Sequence, residues 1–302
     1  MSKNLLLKRA HFKNQIRALL QERGVIEVDV PLLYPKVCPD RCVEPISLSL
    51  HGQKLYLQPS PELNLKKIVA KERIDCYSLN YAYRADSSSP IHHPEFLMLE
   101  FYLVGPRYEE IKSLTSEIIM LLCGTKAVHT RTYQEVWQDT LGVCYERSHK
   151  AFEALLVQNR IAFEPYWEKN LLEDLLFGAV IQPTLGQDCI DIIDGFPLHQ
   201  SALAIEVGED RAARYEVFID GFEVANGYDE LGGGELNAQR FRYWQRQRMQ
   251  DGLDPCDPLD YDFFEAMDHL PQCCGVALGL DRIIMRALQC GHLTESMPFY
   301  WA

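Results

Sequence analysis

The chain has 302 residues, 47% of them hydrophobic and 24% charged, an ordinary globular composition with enough length for a sizeable core and at most about two domains. With 30 basic and 43 acidic side chains the formal charge is −13, so the overall field repels nucleic acid and an RNA partner would need a local basic patch. No apolar run approaches the roughly 18 residues of a membrane span and no signal-peptide pattern opens the chain, so a cytoplasmic protein with no membrane partner is expected.

Asn4 to Arg23 reads as a helix with Leu5, Phe12, Ile16, Leu19 and Leu20 on one face and Gly24 as its stop. Val25 to Val30 alternates as a strand ended by Pro31, and a second short strand runs from Lys54 to Gln58. Ser60, Pro61 and Glu62 then supply an N-cap, a first-turn proline and a first-turn acid for a helix reaching about Lys71. Two longer strands follow, Cys76 to Arg84 and Glu95 to Leu103, divided by a polar loop that carries Pro90. Tyr108 to Phe177 is read as mainly helical. Strands return at Asp188 to Ile193 and at Tyr215 to Ala225, where Asp220-Gly221 is a strong hairpin signal. A polar helix covers about Glu235 to Gln250, a further element spans Tyr261 to Leu270, and a strand at Gly275 to Leu278 leads into a helix from about Leu280 to Cys290. With no repeat and no dividing linker, these elements predict one antiparallel α+β domain with helices around it.

Ten cysteines without a signal sequence read as reduced thiols. Cys38 and Cys42 stand three residues apart and Cys273 adjoins Cys274, but neither has a second pair at zinc-ligand spacing, so buried thiols are expected there rather than a structural zinc.

Three places carry chemistry. In the strand Glu95 to Leu103, Leu97, Leu99, Phe101 and Leu103 share one face, and Phe96, Met98, Glu100 and Tyr102 share the other. A dehydrated Glu100 requires a proton or a cation, supplied either by a ligand or by a protein Lys or Arg. In the hairpin, a two-residue loop makes Glu216 and Glu223 diagonal neighbours on one face, which suits Mg²⁺ or, alternatively, two solvated acids. Arg282 falls in the first turn of the last helix, just after Gly275 to Gly279. There it fits a triphosphate seat, or a pairing with Asp281.

Together these segments resemble the class II aminoacyl-tRNA synthetases: Pro31 after the first helix and strand looks like motif 1, Arg84 to Glu100 like motif 2, and Gly275 to Arg282 like motif 3. Ser60-Pro61-Glu62, His92 to Phe96, Leu99 to Tyr102 and Glu223 to Glu230 are similar to the lysyl subgroup. Phe177-Gly178, Pro183, Phe196-Pro197, Gln200 to Ala204 and Pro271 to Gly275 are similar to its short paralogues, which ligate (R)-β-lysine to a lysine of elongation factor P. Ala277 also marks that group, since tRNA-charging lysyl enzymes typically carry glycine there. The motif 1 helix begins about four residues into the chain, so one catalytic domain over residues 1–302 is expected, with no anticodon-binding domain.

The resemblance implies a class II synthetase catalytic fold, an antiparallel sheet flanked by helices, and a homodimer formed through the motif 1 region. It implies that Ser60, Pro61, Glu62, Glu100, Tyr102, Asn226, Glu230 and Ala277 hold a diamino acid. Arg84, Ala85, Asp86, His93, Phe96, Glu223, Val224, Gly279 and Arg282 would hold ATP, with Arg84 and Arg282 catalytic and Glu216 and Glu223 on Mg²⁺. The implied reaction is activation of (R)-β-lysine, or lysine, as an adenylate and its transfer to elongation factor P. A minimal tRNA-charging enzyme and a catalytically weakened ligand-binding paralogue are the alternatives. Arg240, Arg242, Arg246 and Arg248 could face RNA or form a solvated face, and tRNA is not expected as a partner. Motif 2 departs from the family at Asp86, where glutamate is usual, and at His93, where asparagine is usual; Asp86 is shorter by about 1.5 Å.

Overall fold

Helix α1 (Lys3–Glu22) starts where the Ser2 hydroxyl accepts the main-chain N–H of Leu5 at 3.2 Å, in a computed structural model that describes residues 2–208 and 210–301. Strand β1 (Ile26–Glu27) is shorter than the alternation of Val25 to Val30 predicts. Strands β2 (Leu33–Tyr34), β3 (Ser47–Leu50) and β4 (Gln53–Leu57) make a small antiparallel sheet in the order β2-β4-β3. Helix α2 (Glu62–Glu72) follows, then β5 (Cys76–Tyr83), β6 (Glu95–Val104) and helix α3 (Tyr108–Cys123). β1 adds to β5 in parallel, and β5 pairs antiparallel with β6, bringing Ser78 opposite Glu100.

The segment read as continuously helical opens instead with a strand, β7 (Ala127–Thr132), before helices α4 (Tyr133–Leu141), α5 (His149–Gln158) and α6 (Lys169–Leu176). β7 is an edge strand with mostly exposed residues, so it lacks the in-out hydrophobic alternation that marks a strand in sequence. Thr132 and Glu135 then start α4 as a reciprocal capping box. Strand β8 (Cys189–Asp194) pairs in parallel with β7 and antiparallel with β9 (Arg214–Ile219), and β10 (Phe222–Asp229) returns from the hairpin turn. Asp220 and Gly221 both have positive φ, 49° and 80°, as a two-residue turn of this hand requires.

Helices α7 (Gly234–Gln250) and α8 (Tyr261–Met267) precede β11 (Cys273–Gly279), which runs into α9 (Leu280–Ala287) and the short α10 (Leu293–Ser296). β11 lies antiparallel to β6, with Gly275 opposite Tyr102 and Ala277 opposite Glu100.

The chain divides into two compact units, Met1–Thr125, Ala202–Ile205 and Gly227–Ala302 in the first and Lys126–Ser201 and Glu206–Asn226 in the second. In the first, Leu65 and Val69 of α2 pack with Cys76, Tyr102 and Cys273, while Leu63 and Ala70 pack against Phe241, Phe263 and Phe264. α2 is therefore enclosed on two flanks. The second has its own aromatic core around Tyr133, Trp137, Phe152, Phe177, Phe196 and Phe218, with Tyr133 and Phe177 stacked at 4.9 Å. The architecture is α+β, with helices flanking a mostly antiparallel sheet in which β1 joins β5 and β7 joins β8 in parallel.

Candidate active site

Helix α2, strand β6 and the position just after β10 bring three carboxylates, Glu62, Glu100 and Glu230, together in the first unit. Glu100 sits mid-strand on β6 and is buried; its Oε2 accepts a hydrogen bond from the Ser60 hydroxyl at 2.6 Å and its Oε1 one from the Tyr102 hydroxyl at 2.8 Å. Ser60 is itself fixed, because its Oγ accepts the main-chain N–H of Glu62 at 3.0 Å. That bond forms just ahead of α2, whose N-cap is Pro61 rather than Ser60. Glu62 and Lys66 lie one turn apart on α2, and the Lys66 ammonium contacts Glu62 at 2.7 Å and Glu230 at 2.6 Å. Lys66 is 0% exposed.

The cation expected beside Glu100 is thus present in the chain but is committed to the other two carboxylates. Three carboxylates against one ammonium leave the cluster two positive charges short when all are ionised. The electrostatics register this shortfall. Burial, reinforced by the charge of Glu62, pushes the Glu100 carboxyl up to about 7, against the pull of Ser60, Tyr102 and Lys66. Burial likewise pushes Glu230 up to about 8, with Lys66 opposing and Glu62 and Glu100 reinforcing. For Lys66 burial favours the neutral form, but Glu230 and Glu62 outweigh it and hold its pKa above the ordinary lysine value.

The floor of the cluster is β11. A Cβ at Gly275 would stand 2.3 Å from Glu230 Oε1 and 2.4 Å from a Tyr102 ring carbon, so only glycine leaves both side chains in place. Among the described residues Glu230 Oε1 is buried and accepts no hydrogen bond. Such an atom requires a donor from a ligand or from water.

The chain matches the family described as tRNA synthetases class II (D, K and N) over residues 1–299. An elongation factor P (R)-β-lysine ligase of Vibrio parahaemolyticus is 35% identical over 97% of this chain and 94% of its own length. Ligases of the same name from Vibrio cholerae and Yersinia pestis are 34% and 32% identical with the same coverage. The chain belongs to the class II tRNA synthetase family.

In this class II synthetase the motif 2 and motif 3 residues also fall in the first unit. The Arg84 guanidinium lies over the Phe96 ring at 5.2 Å. Ala85 is exposed and Asp86 half-buried, while His93 is buried with Nδ1 on the Glu95 carbonyl at 2.7 Å and its ring against Tyr300 and Trp301. Gly279 caps α9. Asp281 is taken by Arg9 at 2.7 Å and by the Leu97 N–H at 2.6 Å, and Arg282 donates from Nε to the Ile91 carbonyl at 3.1 Å. The proposed partner of Arg282 in the sequence, Asp281, is therefore part of a different junction.

Glu216, Glu223, Val224 and Asn226 belong to the second unit. Glu216 pairs with Arg214 and is pushed up to about 8, by burial first and then by the charge of Glu223. Two mutually repelling carboxylates with only oxygen donors are chemically suited to a hard divalent cation. β10 does not end at Gly227, and alternation along it puts Asn226 in phase with Tyr228 and Glu230 rather than with Glu223.

Sequence reasoning missed Lys66. Its i, i+4 spacing from Glu62 was visible, but that spacing is the same for a surface pair as for an enclosed one. Of the α7 arginines, Arg242 and Arg246 are exposed as a solvated face requires, but neither an RNA face nor a solvated face fits Arg248. Arg248 is fully buried and donates to the carbonyls of Asp40, Val43 and Asp254 and to Glu44 at 2.5 Å; Arg240 donates to the Ala202 carbonyl and Arg242 to Glu235. Among the described residues no helix is long and apolar enough to cross a membrane.

Proposed function

We propose that this chain is an ATP-dependent ligase that activates (R)-β-lysine, or lysine, and transfers it to a lysine side chain of elongation factor P. The observation that carries this reading is the carboxylate cluster of Glu62, Glu100 and Glu230 around one internal ammonium, which lacks two positive charges. A diamino acid brings two. One amine would take the open side of Glu100, ordered by Ser60 and Tyr102, and another would meet Glu230 Oε1. The Ala277 methyl lies opposite Glu100 on β11, on the pocket floor, and shapes the space around the amino-acid backbone. The names of the relatives support elongation factor P as the acceptor.

In this reading Arg84 holds the substrate carboxylate and the α-phosphate, Phe96 stacks on adenine, and Ala85, Asp86, His93, Gly279 and Arg282 complete the ATP site. The carboxylate attacks the α-phosphorus in line, giving an aminoacyl adenylate and pyrophosphate, and the acceptor amine then displaces AMP. No general base is required for the first step; positioning and charge neutralisation by Arg84 and Arg282 supply the rate. Glu216 and Glu223 would hold Mg²⁺, which supplies charge neutralisation. The exposed apolar side chains Ile26, Leu33, Leu48 and Leu50 support a homodimer through the motif 1 region. The one catalytic domain and a cytoplasmic location belong to the same reading.

Calorimetric titration with (R)-β-lysine and with α-lysine tests the pocket. Glu100→Gln and Glu230→Gln are each expected to weaken binding by about tenfold or more through loss of a charge partner. Unchanged affinity in both would refute the assignment.

Two departures in motif 2 favour a second reading, a catalytically weakened paralogue that binds a ligand without turning over. His93 turns its Nδ1 to the main chain beneath Tyr300 and Trp301, and Asp86 is a methylene short, where a shift of about 1 Å can cost around 100-fold in rate. Diamino-acid binding without adenylate formation would select it.

A further inference from the structure

The parallel pairing of β7 and β8 sets His129 opposite Asp191 and Ala127 opposite Cys189, so His129, Cys189 and Asp191 share one face of the pair. Two donors at i and i+2 on one strand and a third on its neighbour converge naturally. One donor atom from each of the three lies within 4.8 Å of the others, and His129 Nδ1 is 3.7 Å from Asp191 Oδ1. Ligand atoms around one tetrahedral zinc stand roughly 3.3–3.6 Å apart, given Zn–N, Zn–O and Zn–S bonds of about 2.0–2.3 Å. The cluster therefore needs a contraction of about 1 Å at its widest, within reach of side-chain rotation alone.

Asp191 shows that the site is built rather than accidental. It is 3% exposed, and its Oδ2 is locked by the Gly186 N–H at 2.7 Å and Arg131 Nη2 at 2.9 Å. Its Oδ1 is also buried but, among the described residues, accepts no hydrogen bond. That oxygen points to the histidine and the thiol. Cys189 is buried and in no disulfide, whereas His129 is 58% exposed in side chain, leaving an open approach from solvent for the ion and for a water ligand. The neighbouring charges are Arg131 on the far carboxylate oxygen, and Lys126 and Asp188 flanking Cys189.

We propose that His129, Cys189 and Asp191 bind a borderline divalent transition metal, Zn²⁺ best of the common ions, and that the ion pins the edge strand β7 to β8. A nitrogen, sulfur and oxygen donor set suits Zn²⁺ or Co²⁺ and is wrong for Mg²⁺ or Ca²⁺, so this site is chemically separate from the Glu216 and Glu223 pair. On binding, the Cys189 thiol proton leaves to solvent and the thiolate becomes the ligand.

Co²⁺ titration of the whole protein, stripped with a chelator and held in excess Mg²⁺ without ATP, tests this. The expected result is one tightly bound Co²⁺ with a thiolate-to-cobalt charge-transfer band. The band should vanish in Cys189→Ser, and His129→Ala, an exposed change that leaves the core intact, should weaken binding by about tenfold or more. No band in the parent protein, or a band of equal strength in Cys189→Ser that reports one of the other cysteines, would overturn the proposal. So would unchanged affinity in His129→Ala.

Discussion

Lys66 decides how the carboxylate cluster behaves before any substrate arrives. Buried and bonded to both Glu62 and Glu230, it cannot be removed without leaving two acids without their shared cation. Lys66→Met is therefore expected to lower the unfolding free energy by about 3–5 kcal/mol in denaturant titration. Adding Glu230→Gln to it should recover part of that loss; a double variant as unstable as the sum of the singles would show that the pair is not coupled. Glu100 and Glu230 make a prediction of their own. Their folded pKa values, about 7 and about 8, lie above the ordinary glutamate range, so the stability that their protonation gives is complete in acid and is lost as the pH rises through these values. A diammonium ligand replaces those protons. Lysine or β-lysine should raise Tm more at about pH 8 than at about pH 6, with protons released on binding; a pH-independent shift would contradict the charge argument. At this scale the sequence showed the demand, since a carboxylate at position 100 inside an apolar strand needs a proton or a cation. It did not show the internal supplier, because a lysine one turn along an amphipathic helix looks the same whether it faces water or the core.

Strand β6 is the element that turns these residues into a site. Its register with β11 sets Ala277 beside Glu100 and Gly275 beside Tyr102, and its register with β5 sets Ser78 on the other side. Gly275→Ala should consequently abolish diamino-acid binding, because the new methyl meets Glu230 and Tyr102 at once. A soluble, folded Gly275→Ala protein with parental affinity in calorimetry would contradict the packing described. Long central strands and the Asp220-Gly221 turn were readable from alternation and turn chemistry. Peripheral elements were not: β7 is polar and exposed, and β1 pairs over two residues although its neighbours Val25 and Val28 carry the strand pattern. Arg248 shows the same limit on α7, where a cation that ties three carbonyls of distant loops is indistinguishable in sequence from a surface arginine.

For the whole molecule, the formal charge of −13 reads differently once the site is known. Glu62, Glu100, Glu216, Glu223 and Glu230 contribute to it, and their natural counter-charges are a diamino acid and a divalent cation rather than a surface partner. Family membership extends over residues 1–299 and so runs through both compact units, which fits the breadth over which motifs could be recognised in the sequence. Asp86 and His93, the two departures in motif 2, make turnover the decisive measurement. The direct test is amino-acid-dependent exchange of pyrophosphate into ATP, followed by transfer to elongation factor P. Exchange is expected with (R)-β-lysine or α-lysine, with label transferred to elongation factor P but not to tRNA. No exchange with any diamino acid would contradict the proposed ligation.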